Sequence, residues 1–271
     1  MSIASPDNID LRKLNSATKY PSIPTYHQLD PASNGRLLES GNPFADHDGP
    51  VYITEKVDGV NARIICIDDD WFIGSREELL TARGDRVPNP TLGIVDALCD
   101  VAGGLWVDTG HKIYVYFVEV YGLKPMPGWK IYGDGSKVGV RLFDVAEVPL
   151  GVLKWPIEQI AAWRDRGGQA YEISPVLSTV RWGLETVPQP LVVPSGKDLP
   201  ADLQGMRDFL GHWLPLTRAA IDKGAATPVN PEGAVLRTAD RSIIVKARFQ
   251  DYDRTLSPDT RRAQRQMNMG S

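Results

Sequence analysis

The sequence predicts an α+β fold built mainly on antiparallel sheet. Three observations carry this. Runs rich in β-branched and aromatic residues, KIYVYFVEVYG and GVRLFDVAEV above all, recur along the chain. They are not separated by the regular helices that a parallel sheet requires. Apolar residues at helical spacing occur only in scattered segments.

In chain order, residues 1–50 are polar and contain Pro21, Pro24, Pro31, Pro43 and Pro50. They read as an extended N-terminal segment packed on a core, with short strands at most. The texture changes at Val51. VYITEK and NARIICID are strand-like runs separated by the turn signal VDGV, and DDD leads into another strand, WFIGSR. Consecutive carboxylates in a turn point in different directions, so Asp68, Asp69 and Asp70 read as a solvated hairpin tip rather than a metal site. A helix is expected over Pro90 to Val101, with Asn89 as its cap. The two strongest strands follow, then a helix over Ile157 to Arg166, bounded by Pro156 and Gly167-Gly168. Leu203, Met206, Phe209 and Leu210 mark another helix. GAVLRT and SIIVKARF are the last strands. The expected organisation is an N-terminal segment (1–50), a core domain (51–250) and a polar basic tail (251–271).

Composition limits the function. The 271 residues are 42% hydrophobic, enough for a sizeable core. A net charge of −4 argues against a protein that coats nucleic acid non-specifically, but leaves room for a local basic groove. The two cysteines, Cys66 and Cys99, lie in apolar stretches and read as buried thiols of a reduced compartment. No zinc-ligand spacing occurs. Neither a signal-peptide pattern nor an apolar run of membrane-spanning length is present, so a cytoplasmic location is expected. The four histidines, His27, His47, His111 and His212, show no triad or ligand spacing and read as structural. Gly133-Asp134-Gly135-Ser136-Lys137 lacks the full phosphate-loop pattern and reads as a hairpin turn. Arg254, Arg261, Arg262 and Arg265 give either a solvated tail or phosphate contacts.

The chemistry concentrates at strand ends. Glu55-Lys56-Val57-Asp58-Gly59 places a lysine where a strand meets a tight turn, which alone is a weak signal. Further pairs follow in order: Ser75-Arg76, Glu119 before Val120-Tyr121-Gly122, Phe143-Asp144, Glu232-Gly233, and Lys246 near the end of the last strand. Any one of these charged groups marks a strand leaving the core. Their joint order is not explained that way.

That order resembles the nucleotidyltransferase motifs shared by ATP-dependent DNA ligases, RNA ligases and mRNA capping enzymes, over residues 51–250. Lys56 matches the nucleophile of motif I, Ser75-Arg76 motif Ia, and Glu119 to Gly122 motif III. Leu142-Phe143-Asp144 matches motif IIIa, Glu232-Gly233 motif IV, and Lys246-Ala247-Arg248 motif V. Asn61, which extends motif I to E-K-V-D-G-V-N, is similar to the RNA ligase 2-like branch. So are the spacings from Lys56 to Arg76 and from Glu119 to Phe143. One departure stands out: the family usually has lysine where this chain has Arg248. Arginine keeps the charge but changes the geometry and the proton chemistry.

The resemblance implies an ATP-grasp-like ligase core of mainly antiparallel sheets flanked by helices. It implies an ATP-dependent RNA ligase that forms lysyl-AMP at Lys56, transfers AMP to a 5′-phosphate and seals that end to a 3′-hydroxyl. A protonated lysine cannot attack phosphorus, so Lys56 must lose its proton, helped by partial desolvation and by nearby cations, for which Lys246 and Mg²⁺ or Mn²⁺ are the natural sources. Glu232 is the implied main metal ligand. Glu119 would hold the ribose or assist the metal, Phe143 would stack on adenine, and Glu55 would recognise adenine. Arg76 would contact ribose or a 5′-phosphate. Asn61 would orient the strand end, and Arg248 would grip phosphate. The implied partner is RNA, as nicked duplex or as ends that include DNA. Too little sequence follows motif V for the OB-fold domain of DNA ligases and capping enzymes. The expectation is a core that acts alone or with a protein partner supplying an accessory domain. The competing readings are a minimal DNA ligase and a non-catalytic nucleic-acid binder with the same fold.

Overall fold

The computed structural model describes residues 9–33, 35–68, 70–81, 93–105, 110–172, 180–181, 184–189, 191–221 and 229–257. The chain is α+β, with mainly antiparallel sheets flanked by helices. It divides into two units. Unit 1 takes Met1–Ser22, Asp58–Val187 and Ile221–Ala225, and unit 2 takes Ile23–Val57, Pro188–Ala220 and Ala226–Ser271. One division between the units falls between Val57 and Asp58, inside the K-x-D-G run.

Unit 1 is built on a six-stranded sheet. Its strands are β2 (Val60–Ile67), β3 (Asp70–Ser75), β4 (Leu79–Thr81), β5 (Lys112–Tyr121), β6 (Gly139–Pro149) and β7 (Ala170–Tyr171), in the order β4-β3-β2-β5-β6-β7. The central strands are nearly continuous in apolar residues because both faces are covered. On one face Ile64, Cys66, Tyr116 and Val118 pack with Ile94, Leu98 and Ala102 of helix α2 (Ile94–Gly104). On the other, Ile65, Ile67, Val115 and Phe117 pack with Leu14 and Ala17 of helix α1 (Leu11–Ala17) and Ile160 of helix α4 (Ile157–Asp165). Burial pushes the Cys66 thiol up to about 12. Cys99 is half-buried rather than buried, and neither cysteine forms a disulfide.

Three local expectations change here. Residues 11–17 form a helix within the segment expected to be extended, because Asp10 accepts the N–H groups of Arg12 and Lys13 (3.0 and 3.2 Å). Helix α2 begins at Ile94 behind Gly93, which caps it at φ 62°, and ends at Gly104 rather than Val101; Asn89 and Pro90 lie outside the described residues. The run from Gly133 to Lys137 is a turn, as expected, closed by Asp134 accepting the Ser136 N–H at 2.8 Å. It follows a four-residue helix, α3 (Trp129–Tyr132), so it is not a hairpin tip. Asp68 follows β2 and Asp70 opens β3, while Asp69 lies outside the described residues. Two short strands, β8 (Val180–Arg181) and β9 (Leu184–Glu185), pair with each other.

Unit 2 is built on a four-stranded antiparallel sheet. It contains β1 (Val51–Lys56), β10 (Leu191–Val193), β11 (Gly233–Thr238) and β12 (Ile244–Arg248), in the order β10-β1-β11-β12. One face carries Ile53, Ala234, Leu236, Val245 and Ala247 into a core with helices α5 (Leu203–Trp213) and α6 (Phe249–Leu256). Helix α5 follows its predicted stripe: Leu203, Met206 and Leu210 are buried, and Asp202 caps it by accepting the Gly205 N–H at 2.7 Å. Helix α6 was not expected. It begins at Phe249, read as the end of the strand SIIVKARF, runs into the segment expected as a polar tail, and buries Phe249 and Tyr252. Arg254 lies on it, while Arg261, Arg262 and Arg265 fall outside the described residues. His27 fits the structural reading: it is fully buried, with Nδ1 2.9 Å from the Tyr252 hydroxyl and Nε2 3.0 Å from the Ala201 carbonyl. Among the described residues no helix is long and apolar enough to cross a membrane.

The turn joining β11 to β12 sets the register of the last strand. Asp240 accepts from the Thr238 hydroxyl (2.6 Å) and from the Ser242 N–H and hydroxyl (3.1 and 2.8 Å). These bonds, led by Thr238, hold its carboxyl below the usual 3.8, at about 2. A carboxyl depressed on folding contributes stability that is complete above its unfolded value and lost as pH falls through its folded value. The thermal midpoint of the wild type should therefore carry an acid-dependent loss between about pH 4 and 2 that Asp240→Asn lacks. Identical pH profiles for the two proteins would remove this role for the turn.

Candidate active site

The chemistry-bearing residues of unit 2 meet at one end of its sheet. Lys56, Gly233 and Arg248 stand opposite one another across β1, β11 and β12. Strand side chains alternate between faces, so Thr54, Val235 and Lys246, two residues along in the same register, share the face of Lys56. That face points away from the core and is half-buried. Three cationic residues, Lys56 and the distant neighbours Lys246 and Arg248, therefore project from one surface. Gly233 stands between two of them with no side chain. A Cβ there would lie 2.0 Å from the Ala247 carbonyl oxygen, so the close approach of β11 and β12 requires glycine.

Glu232, one residue before β11, supplies the opposing charge. Its Oε2 lies 2.5 Å from Lys56 Nζ, and its Oε1 lies 3.9 Å from Arg248 Nη1. The two side chains of the short pair are only 26% and 17% exposed, so water screens this pair less than a surface one. The Glu232 carbonyl accepts the Phe249 N–H at 3.0 Å, which ties the residue to the start of α6. Lys246 is held by its backbone: its N–H donates to the Pro24 carbonyl (2.9 Å) and its carbonyl accepts from Tyr26 (2.8 Å). Segment 24–26 thus borders β12.

Glu55 neighbours Lys56 in sequence but points to the other face. It is buried, and its oxygens accept from the Thr217 hydroxyl (2.5 Å) and the Arg218 N–H (2.8 Å).

In unit 1 the expected residues cluster on one face of the six-stranded sheet. Asn61, Glu119 and Arg141 stand opposite one another across β2, β5 and β6. Glu119 Oε1 accepts the Gly59 N–H at 3.1 Å, and the Asp58 N–H donates to the Tyr132 hydroxyl at 2.5 Å. Gly59 has no room for a side chain: a Cβ would lie 2.4 Å from the Val120 carbonyl oxygen. The Asp-Gly half of K-x-D-G is thus a turn pinned to the end of β5. Arg141 was missed by sequence reading. Its Nε donates to the Tyr121 hydroxyl at 3.1 Å, and it pairs with Glu185. Only the strand register places it beside Glu119, and a lone arginine in a β-run gives no such signal.

Phe143 sits at a bulge in β6, where the register shifts opposite Phe117 and Val118. It joins an aromatic cluster, edge-on to Tyr20 (5.1 Å) and stacked with Phe117 (6.3 Å, 24°). Tyr20 also donates to Asp144 at 2.7 Å. Arg76 is half-exposed; its Nη2 donates to the Ser22 hydroxyl at 2.9 Å, and its carbonyl accepts from the buried Arg63 at 3.0 Å.

The expected residues thus form two sets: Glu55, Lys56, Glu232, Lys246 and Arg248 in unit 2, and Asn61, Arg76, Glu119 and Phe143 in unit 1. Among the described residues no group of three or more His, Cys, Asp or Glu side chains is disposed to hold a metal ion. At this site Glu232 gives one hard oxygen donor, already engaged by Lys56 and facing Arg248.

No protein-family model and no curated protein matches the chain. Among solved structures it is similar to the RNA ligase of Naegleria gruberi. With the form bound to PPi it shares 13% identity at a TM-score of 0.48, covering 87% of this chain and 61% of that one. With one mutant form holding ATP and Mn the values are 15% and 0.45, covering 76% and 50%. With another they are 14% and 0.46, covering 86% and 63%. The chain thus spans between half and two thirds of the length of these structures.

Proposed function

We propose that this protein is an ATP-dependent polynucleotide ligase, of the RNA-joining kind, that works through a lysyl-AMP intermediate at Lys56. The observation that carries the proposal is the cluster at the end of the unit 2 sheet. The residues resembling motifs I, IV and V, though distant in sequence, converge there: Lys56 lies 2.5 Å from Glu232, with Lys246 and Arg248 on the same face. A bare nucleic-acid binder has no use for a lysine paired with a half-buried carboxylate at a strand end.

In the first step Lys56 Nζ attacks the α-phosphorus of ATP. A nitrogen–phosphorus bond forms, the bond to the pyrophosphate oxygen breaks, and the amine's proton passes to solvent as pyrophosphate leaves. Lys246 and Arg248 face the same side and would neutralise charge on the triphosphate as pyrophosphate leaves. A divalent ion bound at Glu232 would add charge neutralisation there and draw the carboxylate away from Lys56. In the second step a 5′-phosphate oxygen attacks the same phosphorus, breaking its bond to Lys56, which takes back a proton. In the third a 3′-hydroxyl attacks the activated 5′-phosphate and AMP departs. The resemblance assigns ribose to Glu119, adenine to Phe143 and Glu55, and the strand end to Arg76 and Asn61. RNA is the proposed substrate, and an accessory domain from a protein partner is compatible with this reading.

The test is incubation with ATP labelled at its α-phosphate plus Mg²⁺ or Mn²⁺, then a denaturing gel. The protein is first stripped of any bound AMP with pyrophosphate. Label should stay on the wild type, depend on ATP and the metal, and vanish in Lys56→Ala. Nicked RNA and DNA duplexes then fix the substrate. Label from GTP alone would point to a capping-type enzyme. No label from either nucleotide would sink the proposal.

A further inference from the structure

The departure from the family pattern at Arg248 comes with a partner of its own. Arg248 Nε and Nη2 donate to the two oxygens of Asp251 at 2.8 and 3.1 Å, a forked pair that fixes the plane of the guanidinium. Asp251 is 2% exposed. A buried carboxylate needs a cation, and Arg248 provides it through two bonds where a lysine ammonium would provide a single point of charge.

The helix around Asp251 is anchored independently. Phe249 and Tyr252 are buried, the Tyr252 hydroxyl meets His27 Nδ1 at 2.9 Å, and the Thr255 hydroxyl donates to the Asp251 carbonyl at 2.7 Å. Arg207 pairs with Asp253 on the same helix at 2.6 Å. Helix α6 is thus a fixed platform. With Nε and Nη2 engaged, Nη1 is the end of the fork that lies toward Glu232 Oε1, at 3.9 Å. Glu232 in turn holds Lys56. A linked row results: Asp251, Arg248, Glu232, Lys56.

We propose that Asp251 is a positioning residue for adenylyl transfer. It holds Arg248 so that Nη1 faces the Glu232–Lys56 pair and the phosphate that would lie beside it. The proposal rests on the lysyl-AMP reading above. It also accounts for an arginine at this position: the buried acid and the arginine form one device.

A double-mutant cycle on the rate of label transfer from ATP tests it, using wild type, Asp251→Asn, Arg248→Ala and the double variant, with thermal midpoints measured alongside. Asp251→Asn should lower the maximal rate about tenfold while changing the ATP concentration for half-maximal rate by less than about threefold. In the Arg248→Ala background the same substitution should change the rate by less than about twofold. Arg248→Lys should also slow transfer, because lysine cannot span both oxygens of Asp251. An equal loss from Asp251→Asn in both backgrounds would assign Asp251 to the stability of α6 and overturn the positioning role. Absence of label in the wild type would overturn the lysyl-AMP reading and this role with it, an outcome distinct from the first.

Discussion

Replacing Gly233 with alanine is expected to destabilise the four-stranded sheet by about 3 kcal/mol or more, lowering the thermal midpoint by roughly 6 °C or more. The added Cβ would lie 2.0 Å from the Ala247 carbonyl oxygen and 2.7 Å from Arg248 Cα. Both are backbone atoms of the paired strand, so no rotamer change relieves the clash. Either β11 moves off β12, breaking the ladder that holds Lys246 and Arg248, or the strand twists locally at similar cost. Val235→Ala, two residues along on the same strand at a half-buried position, serves as control and should cost far less. Equal midpoints for Gly233→Ala and the wild type would show that the two strands are not this close in solution.

Glu232→Ala should lower label transfer from ATP about a hundredfold or more while leaving the protein folded. The effect on stability is small for two reasons. Lys56, at 26% exposure, can find water once its partner is gone. The Glu232 carbonyl that accepts the Phe249 N–H belongs to the backbone and survives the change. Glu232→Gln separates charge from shape: it keeps the volume and one acceptor but cannot pair with Lys56 as an anion or bind a divalent ion well. It should be nearly as impaired as alanine. Transfer within about threefold of wild type in either variant would remove Glu232 from the chemistry.

Much of this was legible in the sequence because strands covered on both faces are written as apolar runs. Strands β5 and β6 fall where KIYVYFVEVYG and GVRLFDVAEV placed them, and GAVLRT coincides with β11. Helix α5 announced itself through Leu203, Met206 and Leu210. Helices α1 and α6 did not. Each is eight residues or shorter and mostly polar, and tertiary packing decides such segments more than propensity does.

The candidate site was legible as a list of residues, but its grouping was not. Glu55 was read beside the nucleophile, yet strand alternation puts it and Lys56 on opposite faces. Nothing in the sequence marked the division between Val57 and Asp58, because a unit assembled from separated segments leaves no composition shift at its boundary. Arg141 and Asp251 were missed for the same kind of reason. Each acquires its meaning from a neighbour set by register or by the start of a helix. Asp251, three residues after Arg248, would have stood out only to a reader who knew that a helix begins at Phe249.

The most direct measurement of the central claim is peptide mapping by mass spectrometry of protein incubated with ATP and Mn²⁺, under conditions that preserve phosphoramidate bonds. The account predicts one adenylyl group, on the peptide that contains Lys56, with fragment ions placing it on that side chain. It predicts that this group is released by pyrophosphate and transferred to a 5′-phosphorylated strand. An adenylyl group on another residue, or an unmodified Lys56 in protein that joins ends, would contradict it.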